Sequence, residues 1–143
     1  MSYATVDDVK TKIDEATLLR LTDVTGAGVV DAATVERAVA DAEALIDAYV
    51  SPVYAVPMNP VPRLVTDLSA TLAVASLFAY RSLETPIWEG ARDRALATLK
   101  EIGAGRATLE GIVPEPASSP SASATVGIAS AGRVFSRDAL KGM

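Results

Sequence analysis

The sequence predicts an all-α fold: a small helical bundle of about three long and two short helices, followed by an extended C-terminal arm. Three observations predict it. Half of the 143 residues are hydrophobic but only 5% are aromatic, a mix that suits close-packed helices better than an aromatic-rich β-sandwich. Apolar residues recur at steps of three and four through the long middle segments, the period of helices that each bury one face. Beyond residue 113 that period stops, and a run of Pro, Ser and Ala takes over, which reads as a linker. The chain therefore divides into a helical domain over 1–113, a linker over 114–125 and a docking arm over 126–143.

The elements follow in order. Thr5, with Asp7 and Asp8 behind it, is an N-cap with acids in the first turn and predicts a helix over Val6–Lys12. A second short helix over Glu15–Thr22 carries Leu18, Leu19 and Leu21; both helices need tertiary packing to survive. Asp31 caps a long helix in which Val35, Val39, Ala42, Leu45, Ile46 and Tyr49 make one face. Ser51-Pro52 ends it, because the residue before proline is pushed out of the helical region. Prolines at 52, 57, 60 and 62 predict a stiff, extended connection. The next helix, entered at Pro62 and running to about Leu83, is apolar nearly all round and is expected to be the central one. Thr85-Pro86 is an N-cap followed by proline at the first helical position, opening a last long helix that Gly103 stops. Residues 105–113 read as a short extended turn.

Charge and composition exclude several functions. A net charge of −5 and a pI near 4.7 disfavour general nucleic-acid binding, which needs a basic footprint. There is no Cys and no His, so thiolate metal sites, Cys nucleophiles and Ser–His–Asp arrangements are out. The commonest general base is missing too, and the chain is expected to be neither an enzyme nor a holder of cofactor or metal. Acids near the N-terminus argue against a signal peptide. The uncharged apolar run at residues 68–80 is too short for a bilayer, so no membrane is expected. Residues 1–62 hold ten acids against four bases, whereas residues 114–143 hold three bases and two acids. An acidic front half and a slightly basic tail suit a chain that contacts other chains.

Four features bear on function. Asp23, Thr25, Gly28 and Asp31 match the start of a calcium loop, but Ala27 and Thr34 stand where ligands are needed. The segment is therefore read as a helix–helix turn with glycines at positive φ. Glu36, Glu43 and Asp47 share one face of the third helix, expected to face solvent or a channel lumen, where replacement by Lys should leave folding almost intact. Trp88, the single Trp, is expected to pack against Leu83 or a neighbouring helix. The arm regains apolar residues in Val134, Phe135, Leu140 and Met143 beside the cations Arg133, Arg137 and Lys141. Such anchors beyond a linker suit docking on a neighbour.

Five pieces together resemble the head–tail adaptor, or neck, proteins of Mu-like tailed phages and their prophages: residues 3–9 (YATVDDV), 21–31 (LTDVTGAGVVD), 40–49 (ADAEALIDAY), the proline segment 54–62, and 133–142 (RVFSRDALKG). The resemblance implies a structural virion protein, made in the host cytoplasm and placed at the head–tail junction. There it would form a homo-oligomeric ring, twelvefold by that resemblance, below the portal. Its implied partners are the portal protein and tail-side connector or terminator proteins. DNA would pass through without specific binding, and an acidic lumen would let it slide. A small acidic helical binding or regulatory module with no virion role is the alternative reading of the same residues.

Overall fold

The first helix is set by its cap. Thr5 Oγ1 accepts from the Asp8 amide and Asp8 Oδ2 accepts from the Thr5 amide at 2.7 Å, a capping box that opens α1 (Val6–Lys12). In this computed structural model, which describes residues 2–115, four more helices follow: α2 (Glu15–Thr22), α3 (Ala32–Val50), α4 (Arg63–Tyr80) and α5 (Pro86–Gly103). Asp14 caps α2 and Asp31 caps α3 through side-chain oxygens that accept from backbone amides. The fold is all-α, with three long and two short helices and no strand among the described residues. Apart from residues 114 and 115, the linker over 114–125 and the whole arm over 126–143 lie outside the described residues.

Helix α4 is the centre of the bundle. Each of the other four helices packs against it. Val65, Leu68, Ser69, Ala70, Leu72, Ala73, Val74, Ala75, Leu77 and Phe78 are all buried along it, as expected of a helix that is apolar nearly all round. The remaining core comes from Val9 of α1, Leu18 and Leu21 of α2, Val35, Val39 and Ile46 of α3, and Leu99 and Ile102 of α5. No helix among the described residues is long and apolar enough to cross a membrane.

Four details correct the sequence reading. First, α4 ends at Tyr80, three residues before Leu83. Ser82 takes φ 53°, and the amides of Ser82 and Leu83 bond back to Ala79 and Phe78, a Schellman closure with serine where glycine is usual. Second, the stop of α5 is set by Gly105 and not Gly103. Gly105 has φ 76°, and the amides of Gly105 and Arg106 reach Ile102 and Glu101. Gly103 serves close packing: a Cβ there would lie 2.2 Å from the Tyr49 carbonyl oxygen, so the end of α5 meets the end of α3 backbone to backbone. Third, Ser51 stays in the right-handed helical region although Pro52 follows it. Fourth, the proline segment is not merely an extended strap. It is a run of turns that buries Tyr54 and Met58 against the core.

Candidate functional site

Polar groups gather at two places on the bundle. The first is built on Tyr3, which precedes α1 and is 3% exposed. Its amide donates to Glu43 Oε1 at 2.5 Å, and its hydroxyl donates to Asp47 Oδ1 at 2.5 Å, both on α3. The same hydroxyl accepts from the Met58 amide at 3.0 Å. Burial first, and then the bond to Asp47, push the Tyr3 hydroxyl up to about 12. One phenol thereby ties the N-terminal segment, α3 and the proline segment together. Tyr54 repeats the device: its hydroxyl accepts from the Leu109 amide at 2.9 Å and pins residues 105–113 to the same end of the bundle.

This geometry redistributes the acidic face of α3. Glu36 is exposed, as expected of a solvent or lumen face, but Glu43 and Asp47 are half-buried and hold Tyr3. Two of the three carboxylates therefore have structural partners, and lysine at those positions would oppose folding. The pattern of acids on α3 gave no hint of this, because Tyr3 lies 40 and 44 residues from its partners.

The second place is a groove of about 570 Å³ between α3, α4 and the first turns of α5. Its floor is apolar, from Leu45, Leu72, Ala75, Phe78 and Trp88. The Phe78 and Trp88 rings stack with centroids 6.0 Å apart, which places the Trp against the neighbouring helix as expected. Its rim holds four acids, Asp41, Glu84, Glu89 and Asp93, against one base, Arg92. Tyr80 donates its hydroxyl to Asp41 at the groove edge. Thr85 stands at the N-cap position of α5 without a side-chain cap bond, and its Oγ1 has no partner among the described residues. Beside the groove, Leu83 and Ile87 are exposed, Ile87 by 76%.

The loop between α2 and α3 behaves as a turn. Gly26 and Gly28 take φ of 76° and 74°. The Asp23 carboxylate accepts from the amides of Ala27 and Gly28 at 2.9 and 2.8 Å. Those amides, Gly28 first, hold the carboxyl below the usual carboxylate range. Asp31 accepts from Ala33 and Thr34 as the α3 cap. Both carboxylates of the apparent calcium loop are thus engaged in shaping it. Of the arm residues expected to dock, Arg133, Val134, Phe135, Arg137, Leu140 and Lys141 all lie outside the described residues.

Comparison with known families decides the affiliation. The model of the family described as Bacteriophage Mu, Gp36 matches residues 3–128. The chain belongs to the Mu Gp36 family. The Gp36 match begins at Tyr3, the residue that locks the fold, and takes in all five helices, the whole linker and the first three residues of the arm. No curated protein matches the chain. Gp36 membership makes this a Mu-like phage protein. In Gp36 terms, the groove, the Tyr3 lock and the proline segment all fall inside the matched region, whereas the cation-bearing segment from Arg133 onward falls beyond it.

Proposed function

We propose that this chain is a non-catalytic connector of the virion: one subunit of a ring below the portal that joins capsid to tail and lets DNA through. The observation that carries the reading is the Gp36 family match across residues 3–128, joined to the resemblance of the chain to head–tail adaptors. The geometry is compatible with such a part. The polar groups at one end of the bundle hold loops in place: Tyr3 with Glu43, Asp47 and the Met58 amide, and Tyr54 with the Leu109 amide. A connector works under mechanical load, and long-range ties of this kind resist local opening. In this reading Glu36 contributes to the acidic lumen, and the arm over 126–143 attaches the subunit to the assembly.

Deleting residues 126–143 tests the reading. Among the described residues, every buried one lies in the first 109. The truncated protein is expected to melt as the full chain does and to be lost from purified particles. A truncated protein that still builds infectious particles would overturn the role of the arm. A full-length chain absent from particles would overturn the connector reading itself and favour the small acidic binding module.

A further inference from the structure

We propose that the groove between α3, α4 and α5 is the receptor for the segment 133–143 of an adjacent copy of this chain. The two are complementary in charge and in apolar content. The groove offers an apolar floor centred on Phe78 and Trp88 and a rim of four acids against one base. The segment carries cations at every fourth position, Arg133, Arg137 and Lys141, against the single acid Asp138, with Val134, Phe135, Leu140 and Met143 between and beside them. A volume of about 570 Å³ lies within the range that clefts use to hold a few anchoring side chains. The acids at the rim are exposed and three of them, Glu84, Glu89 and Asp93, have no ion-pair partner among the described residues. Apolar anchors seated on the floor would supply affinity, and the rim charges would set register and orientation.

Placement of the ends fits exchange between copies. The groove sits at the first two turns of α5, whereas the chain leaves α5 at Gly103 and is then held at the opposite end of the bundle through Leu109 and Tyr54. From Trp88 to Gly103 the helix alone covers about 22 Å. The seventeen residues between 115 and Arg133 span at most about 60 Å, enough to reach past the edge of the domain. The choice of an adjacent copy as the donor rests on the connector reading. The site itself is measurable on the isolated protein.

Trp88 is the only Trp in the chain and lines the groove, so it reports on occupancy. A synthetic peptide of residues 131–143 is titrated into the full-length protein while Trp88 emission is followed. A saturable change at sub-millimolar peptide is expected. A peptide with Arg133, Arg137 and Lys141 all changed to Glu is expected to bind more than about tenfold more weakly, since three charge pairs are reversed. Phe135→Ala in the peptide is expected to weaken binding by a similar factor. On the protein side, Glu84→Lys with Asp93→Lys is expected to reduce affinity while the thermal melt stays in place. No binding to the full-length chain overturns the proposal, and so does binding indifferent to both peptide changes. If the peptide binds only after residues 126–143 are deleted, the arm closes on its own chain and the exchange between copies is refuted. None of these readouts involves a particle, so their failure leaves the connector reading to its own test.

Discussion

Tyr3→Phe removes one oxygen atom and should destabilise the domain more than any other change that small. The ring is 3% exposed and stays in place in the variant. The hydroxyl lost is both a donor to Asp47 at 2.5 Å and an acceptor for the Met58 amide at 3.0 Å. Leaving a buried amide without a partner costs about 1–3 kcal/mol. Asp47 is half-buried and regains some water, which holds its loss to about 1 kcal/mol. The sum is about 2–4 kcal/mol, a large part of the roughly 5–15 kcal/mol that holds a domain folded. At roughly 4 °C per kcal/mol for a domain of this size, Tm should fall by about 8–16 °C. Alkaline pH gives an independent check. The Tyr3 hydroxyl titrates at about 12 in the folded chain and at about 10 when unfolded. The unfolded chain therefore releases the proton first. Stability from this group is complete below pH 10 and is lost as pH rises from 10 to 12. Tyr80, also pushed up to about 12 by burial and by its bond to Asp41, acts with the same sign. Only the difference between the wild type and Tyr3→Phe isolates Tyr3. Thermal melts followed by circular dichroism at pH 7 and across pH 9–12 measure both effects. A Tm within about 2 °C of wild type, with no flattening of the alkaline limb, would refute the lock.

Three further expectations follow from the same geometry. Leu72→Asp should prevent folding, because Leu72 is 3% exposed at the centre of α4 and an unpaired carboxylate there has no partner; a cooperative melt of the variant would show that α4 is not central. Glu36→Lys should shift stability by less than about 0.5 kcal/mol, whereas Glu43→Lys with Asp47→Lys should destabilise by about 2 kcal/mol or more; equal melts for the two variants would contradict the bonds to Tyr3. Ser82→Gly should stabilise by about 0.5–1 kcal/mol, since glycine takes a φ of 53° without a Cβ penalty, and a lower Tm would show that the serine side chain is needed there.

Local signals carried the helices, and long-range ones were not legible. Thr5, Asp31 and Thr85-Pro86 mark helix starts by short-range chemistry, and α1 and α2 have the bounds read from the sequence. The centrality of α4 follows from its unbroken apolar surface. Gly103 and Gly105 show the limit: both stand at a helix end, and only the approach of the Tyr49 carbonyl separates a packing glycine from a capping one. Ser82 hid the end of α4 because αL serine has no sequence signature of its own. Glu43 and Asp47 looked like surface charge because their partner lies beyond any periodicity. Tyr54 and Met58, the bulkiest side chains among the prolines, were a signal that the segment folds onto the core. The groove joins residues from Asp41 to Asp93, and no linear pattern could bring those together.

The connector role is tested most directly by a particle reconstruction focused on the junction between head and tail. The account predicts a closed ring of this five-helix fold directly below the portal, with Glu36 toward the DNA and density for residues 126–143 leaving each subunit. Particles whose head–tail junction is complete without this fold would contradict it.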